Sequence, residues 1–129
     1  MKKESSWNYY GVKLIKHIVV SGEPDKDLID EFYDESGEQE FEESVLLIHA
    51  QSFDHAYKLA EKRAAEDNIV YKNVYGQQVE WRFIEAVDCF LICDELKSGA
   101  EVYSCIYTAD PGISADEFLQ RQFGDPADE

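Results

Sequence analysis

The chain has 129 residues, a mass of 14.9 kDa and a formal net charge of -16 at pH 7. A hydrophobic content of 44% excludes a wholly disordered chain, and the acid excess argues against direct binding to nucleic acid or to an anionic membrane, since both depend on clustered Lys and Arg. No apolar run reaches signal or membrane-spanning length, and three cysteines fit a reducing compartment, so we expect a single cytoplasmic domain, residues 1–129.

The first predicted element is a strand over residues 9–20, in which apolar residues alternate with a period of two. An acidic insert, residues 23–43, follows it and holds eleven acids against one base, Lys26. Four apolar residues recur within the insert at helical spacing and permit a short amphipathic helix between positions 25 and 37: Leu28, Ile29, Phe32 and Tyr33.

The next predicted elements are a strand and the main helix. Residues 44–50 are apolar on both faces apart from His49, which predicts a central strand covered on both sides. Ser52 is a natural N-cap for a helix that runs to about Asp67. The alanines on one face of this helix would let it lie close to a sheet.

Three further strands and a second helix complete the predicted order. We expect these strands at residues 69–75, 79–93 and 101–109, the last two joined by a turn at residues 97–99. A short helix capped by Ser114 then lies within an acidic C-terminal segment, residues 110–129. The order predicts an α+β fold in which one main helix packs on an antiparallel sheet of about five strands.

Several short stretches resemble a known family: Tyr10-Gly11-Val12-Lys13-Leu14, Glu43-Ser44-Val45-Leu46-Leu47, Asn73-Val74-Tyr75-Gly76 with Val79-Glu80-Trp81-Arg82-Phe83, and Gly99-Ala100-Glu101-Val102-Tyr103-Ser104. Through them the chain resembles a bacterial family known as domain of unknown function 4288, over roughly residues 9–108. The resemblance implies a small α+β domain and supplies no catalytic residues. It does not account for the acidic insert or for the acidic C-terminal segment.

The localised charge favours an interaction role over catalysis. Dense carboxylates raise the rate of encounter with a cationic partner, and interleaved apolar side chains can supply buried anchors. We therefore predict a non-enzymatic protein without metal or cofactor that binds a basic protein partner, such as a toxin, as an immunity protein or inhibitor. The predicted partner-binding residues are Asp27, Asp30, Glu31, Phe32, Tyr33, Asp34 and Glu35.

Other interpretations stay open at this point. The insert could be a solvated arm that only aids solubility, while aromatic residues of an open sheet face drive self-association into a homo-oligomer or bind a small ligand. His49 and His55 permit a hydrolase, although a histidine in a buried strand is more often a hydrogen-bonded core residue. Cys93 and Cys105 would lie opposite each other in the predicted hairpin, either as an oxidisable pair or as small buried hydrophobic residues.

Overall fold

The computed structural model describes residues 7–124, which contain one antiparallel sheet and two α-helices. The strands are β1 (Asn8–Ser21), β2 (Glu40–Ala50), β3 (Ile69–Lys72) and β4 (Gln78–Ile92), and the helices are α1 (Phe53–Glu66) and α2 (Ala115–Phe123). Across the curled sheet the strand order is β2-β1-β4-β3. The predicted α+β class is confirmed, with four strands among the described residues instead of about five. Residues 125–129 of the predicted acidic C-terminal segment lie outside the described residues.

β1 is the centre of the sheet, because it pairs with β2 on one side and with β4 on the other along nearly its whole length. Its period-two pattern places Tyr10, Val12 and Leu14 on one face, and all three side chains are buried. Lys13 lies between them on the opposite face and is partly exposed. The strand predicted at residues 9–20 is therefore confirmed.

The main helix, α1, covers the inner face of the sheet, defined here as the face of the buried β1 side chains. Its N-terminus is capped by the Ser52 hydroxyl, which accepts a hydrogen bond of 3.0 Å from the His55 amide. Ala56, Ala60 and Ala64 recur at every fourth position and are buried against the sheet. Because alanine has so small a side chain, the helix and strand backbones can approach closely.

The second helix, α2, begins with a capping box. The Ser114 hydroxyl accepts from the Glu117 amide, and the Glu117 carboxylate accepts from the Ser114 amide, both at 3.1 Å. Phe118 and Phe123 of this helix pack edge-on around Tyr107. Neither helix within residues 7–124 is long and apolar enough to cross a membrane.

The amphipathic helix that the apolar spacing permits between positions 25 and 37 does not form. A single turn of 3-10 helix forms there, at Lys26–Leu28. The carboxylates of Asp25, Asp30 and Asp34 each accept a hydrogen bond, of 2.9 to 3.0 Å, from the backbone amide two residues later. Such local bonds compete with helical hydrogen bonds, so the segment folds as a series of turns.

The predicted central strand at residues 44–50 is instead an edge strand. It is part of β2, which pairs with β1 alone, and α1 covers only its inner face. Phe41, Val45 and Leu47 point to the outer face, where about half of each side chain is exposed. The apolar pattern on both faces of β2 thus exceeds what the described part of the chain covers.

The predicted strand at residues 101–109 does not form, although a turn at Lys97 and Ala100 does. The Glu101 amide donates to the Asp94 carboxylate at 2.9 Å, and two residues later the Tyr103 ring packs against a side chain of β4. These contacts lead the segment out of the plane of the sheet and across its outer face. The segment therefore contributes side chains to that face without pairing as a strand.

Candidate functional site

The acidic loop, defined here as residues 22–39, connects β1 to β2 and folds back onto the turn between β3 and β4. The Asp25 amide donates to the Tyr75 carbonyl at 2.8 Å. From the turn, the Gln77 side-chain amide donates to the Gly22 carbonyl at 3.0 Å. These two bonds fix the first part of the loop against the end of the sheet.

A second set of contacts holds the middle of the loop on Tyr75. The Tyr75 hydroxyl donates to the Asp30 carboxylate at 2.8 Å, which raises the pKa of Tyr75 because the bond needs the protonated phenol. The ring of Tyr33 packs edge-on against the Tyr75 ring, with the two ring centroids 4.9 Å apart. One tyrosine on the β3–β4 turn therefore positions both a carboxylate and an aromatic ring of the loop.

The turn that presents Tyr75 is itself ordered by Asn73. The Asn73 side-chain oxygen accepts from the amides of Tyr75 and Gln77, each at 3.0 Å, and the Asn73 amide donates to the Gln77 carbonyl at 2.9 Å. Gly76 adopts a φ of 82°, which favours glycine. Asn73, Tyr75 and Gln77 were not among the predicted site residues, although an Asn followed three positions later by Gly is a recognisable turn signal.

Within the loop, one of the aspartates that form the turns, Asp34, is also stabilised in its charged form. Hydrogen bonds from the side chain and the backbone of Ser36 lower the pKa of Asp34. The Ser36 hydroxyl in turn accepts from the Glu38 amide at 3.1 Å. The loop thus presents its carboxylates from a backbone that has defined turns.

The four apolar residues of the loop divide into one that packs inward and three that do not. Tyr33 is half-buried on Tyr75, whereas Leu28 and Ile29 are exposed and Phe32 is 81% exposed. Most exposed apolar residues need no explanation, but a phenylalanine this exposed in an anchored loop is available to another molecule. Phe32 is the most exposed apolar side chain of the acidic loop.

A groove of about 410 Å³ lies between the acidic loop and the neighbouring strand ends. Tyr33, Asp34 and Glu38 border it on the loop side. His17, whose ring stacks on Phe41 at a centroid distance of 4.4 Å, borders it on the strand side. The groove therefore adds a concave, acid-rimmed surface beside the exposed Phe32.

The seven residues predicted to bind a partner are contiguous in this loop but have different surroundings. Asp30 and Tyr33 contact Tyr75, and Asp34 bonds Ser36, so these three also shape the loop. The remaining four have exposed side chains: Asp27, Glu31, Phe32 and Glu35. The structure thus separates residues that hold the loop from residues that it presents.

The histidines considered for a hydrolase are engaged in different local contacts. His49 was expected in a buried strand, but it is exposed on the outer face of β2, where its ring stacks on Tyr9 at 4.4 Å. His55 lies in the first turn of α1, and its Nδ1 accepts from the Gln51 amide at 3.0 Å. Each ring also lies within 6 Å of the Trp7 ring.

The cysteine predictions depended on a hairpin that is absent. Cys93 and Cys105 are not joined in a disulfide, and both are exposed, so they are not small buried hydrophobic residues. Cys89 is half-buried against the core, and burial raises the pKa of its thiol.

Comparison with known proteins identifies a family and no characterised relative. A search of the curated proteins and a search of the solved structures each found no match to this chain. A family model described as a domain of unknown function, DUF4288, matches residues 9–104. That match spans nearly the whole sheet, α1 and the Tyr103 contact, and it confirms the resemblance noted in the sequence. The chain therefore belongs to the DUF4288 family.

Proposed function

We propose that this protein is a non-enzymatic interaction protein that binds a basic protein partner through its acidic loop, as an immunity protein or inhibitor. The observation that carries the proposal is the exposure of Phe32, at 81%, within a loop that Tyr75 holds in place. Asp27, Glu31 and Glu35 surround it along the chain. An apolar anchor among nearby carboxylates in the chain matches a basic surface that contains an apolar pocket.

Phe32 supplies the binding energy in this proposal. Burying a phenylalanine side chain that was exposed is favourable by roughly 1.5–3 kcal/mol. Because the loop is already ordered by its turns and by Tyr75, little conformational entropy has to be lost when a partner binds. A phenylalanine on a mobile loop would lose part of this gain.

The carboxylates supply encounter rate and selectivity. A dense negative surface attracts a cationic partner over a distance of about one Debye length, and the effect weakens as salt is added. It also disfavours acidic partners, since like charges brought together across an interface are repelled. The expected partner is therefore a basic protein, for example one whose own target is nucleic acid.

Site-specific photo-crosslinking tests the proposal. A photoreactive phenylalanine analogue at position 32 is compared with the same analogue at position 106, because Ile106 is 95% exposed and lies outside the acidic loop. We expect a product specific to position 32 in an extract of the host, and mass spectrometry of that product should identify a basic protein. Equal products from both positions, or an acidic partner, would contradict the proposal.

The identified partner then allows the two contributions to be separated. We expect Phe32→Ala to weaken binding at least tenfold at both low and high salt, because an apolar contact is not screened. The double variant Glu31→Gln/Glu35→Gln should slow association at low salt and approach the wild type at high salt. Surface plasmon resonance measures both effects on the purified partner.

The alternative prediction, self-association, draws support from a different surface. Two of the aromatic residues expected on the open sheet face already have partners within the chain, since Tyr103 packs on Phe90 and Tyr107 packs on α2. The outer face of β2, in contrast, remains exposed.

A further inference from the structure

The outer edge of β2, Glu40–Ala50, has backbone groups that no other strand of the described residues pairs with. Within residues 7–124, no segment other than β1 forms backbone hydrogen bonds with this strand. Its outer-face side chains Val45 and Leu47 are 46% and 54% exposed. A strand that is apolar on both faces at residues 45–48 and unpaired along one edge is a template for a further strand.

The opposite edge of the sheet is protected by comparison. β3 is only four residues long. Beyond it, the register between β4 and β1 shifts twice, and Ile84 and Val87 are the extra residues at these shifts. Short strands and bulges are the usual ways in which proteins block edge pairing. β2 has neither device, since it is eleven residues long and its register with β1 is unbroken, and its acidic residues Glu40, Glu42 and Glu43 all lie in its first half.

The exposed surface of the chain is large for its mass. The chain exposes 10132 Å², whereas a folded monomer of this mass should expose about 7,000 Å². The eleven residues outside the described range weigh too little to account for the excess, since an unfolded chain exposes only about 1.45 Å² per dalton. The remaining excess, roughly 1,000 Å², is comparable to the roughly 800 Å² that each partner buries in a standard interface, and it is shared among the outer face of β2, the acidic loop and residues 93–114, all of which are exposed.

We infer that a second copy of this chain pairs with the outer edge of β2, in antiparallel orientation about a two-fold axis. The two four-stranded sheets then form one continuous sheet of eight strands. The charge of β2 selects this orientation, because Glu40, Glu42 and Glu43 occupy its first half and no acid occupies its second half. Parallel pairing would set these acids beside their equivalents, whereas antiparallel pairing sets them beside the neutral half.

The side chains also favour one register. With the two-fold axis at Leu46, Val45 lies opposite Leu47 of the second copy, and Glu43 lies opposite His49 of the second copy. Both pairs fall on the outer face, because antiparallel pairing about a residue keeps odd positions beside odd positions. This register therefore places an apolar side chain opposite an apolar one and a glutamate opposite a histidine that can carry positive charge.

This dimer is independent of the partner-binding proposal. The acidic loop precedes the first residue of β2, so the two loops lie at opposite ends of the joined strands. Phe32 of each copy stays outside the pairing edge. Phe32→Ala should therefore leave the dimer intact, and each proposal can fail without the other.

Sedimentation velocity of the full chain tests the dimer across roughly 1 to 100 μM, a range in which micromolar association is visible. The edge variant is Val45→Lys/Leu47→Lys, which places two lysines from each copy at the interface between the two β2 strands. The matched control is Val87→Lys/Ile84→Lys on β4, because these side chains are 46% and 50% exposed. Circular dichroism checks that both variants keep the wild-type fold.

We expect the wild type and the control to sediment as dimers and the edge variant to sediment as a monomer. A wild type that is monomeric throughout this range overturns the proposal, including the case in which a different protein occupies the edge. A dimer that survives the edge variant, or one that the control abolishes as well, also overturns it.

Distances between spin labels test orientation and register, in a chain carrying Cys89→Ala, Cys93→Ser and Cys105→Ser. Labels at position 41 and, in a second sample, at position 51 should each lie about 34 Å from their equivalents, because ten residues rise about 3.4 Å each. Parallel pairing would give about 5 Å at both positions. Clearly unequal distances at the two positions would contradict the axis at Leu46.

Discussion

The two faces of the sheet differ in how much of their apolar surface the described chain covers. On the inner face, Tyr10, Val12 and Leu14 lie beneath α1 and are buried. On the outer face, Phe90 and Tyr103 cover the part formed by β1 and β4, but the part formed by β2 stays exposed. Both faces arise from the same alternation along the strands. Whether an apolar position becomes core or binding surface therefore depends on which other segments pack over it.

The largest expected effect compares one leucine from each face. Leu14→Ala removes a fully buried side chain and should lower the free energy of unfolding by about 2–5 kcal/mol. Leu47→Ala, on the exposed outer face, should change it by no more than about 0.5 kcal/mol. Urea denaturation measures both, at protein concentrations low enough for the proposed dimer to be dissociated. Equal losses would show that the outer face is buried within one chain.

Gly11 leaves room for the Phe90 ring to pack over the middle of the outer face. A Cβ atom on Gly11 would overlap the ring of Phe90, and Tyr103 packs on that ring, so the ring cannot simply move away. We expect Gly11→Ala to destabilise the fold by about 1–3 kcal/mol. Phe90→Leu should relieve part of this loss in the double variant, and additive losses in a double-mutant cycle would contradict the overlap.

Tyr103 fastens the C-terminal segment to the outer face. Its ring packs edge-on against Phe90, with the ring centroids 5.2 Å apart, and its hydroxyl accepts from the Lys13 ammonium at 3.3 Å. Tyr103→Leu should cost about 0.5–1.5 kcal/mol for the aromatic pair and speed proteolysis between residues 93 and 114. Val102→Leu is the matched control, because Val102 is exposed. Equal cleavage of both variants would contradict this role.

The smallest expected effect lies away from both faces, at the anchor of the acidic loop. The bond to Asp30 raises the pKa of Tyr75, so its stabilising contribution is complete below the usual tyrosine value of 10.0 and is lost as pH rises through the raised pKa. We expect Tyr75→Phe to loosen the loop at neutral pH and to remove this alkaline dependence.

Hydrogen exchange of the amides from residue 25 to residue 36 measures the neutral-pH effect, and limited proteolysis follows the loop at alkaline pH. Tyr71→Phe is the control, because Tyr71 lies on β3 outside the loop contacts. The same loosening in both variants would argue against the bond between Tyr75 and Asp30.

Much of the candidate site was predictable from composition, and its arrangement was not. The run of acids with interleaved apolar residues located the acidic loop, which contains the seven residues predicted to contact a partner. The spacing of Phe32 and Tyr33 could not reveal that one is exposed and the other packs inward. That difference depends on Tyr75, which lies on a turn more than forty positions later and reaches Asp30 only in the folded chain.

The sequence by itself determined the elements whose cause is local. Period-two alternation specifies β1, the N-cap at Ser52 and the alanine stripe specify α1, and the reciprocal bonds of Ser114 and Glu117 specify the start of α2. Only the tertiary structure decided that β2 lies at the edge and that the segment from residue 101 to residue 109 leaves the sheet. Strand pairing depends on contacts between residues distant in sequence, and alternation is the same whether a strand finds one neighbour, two or none.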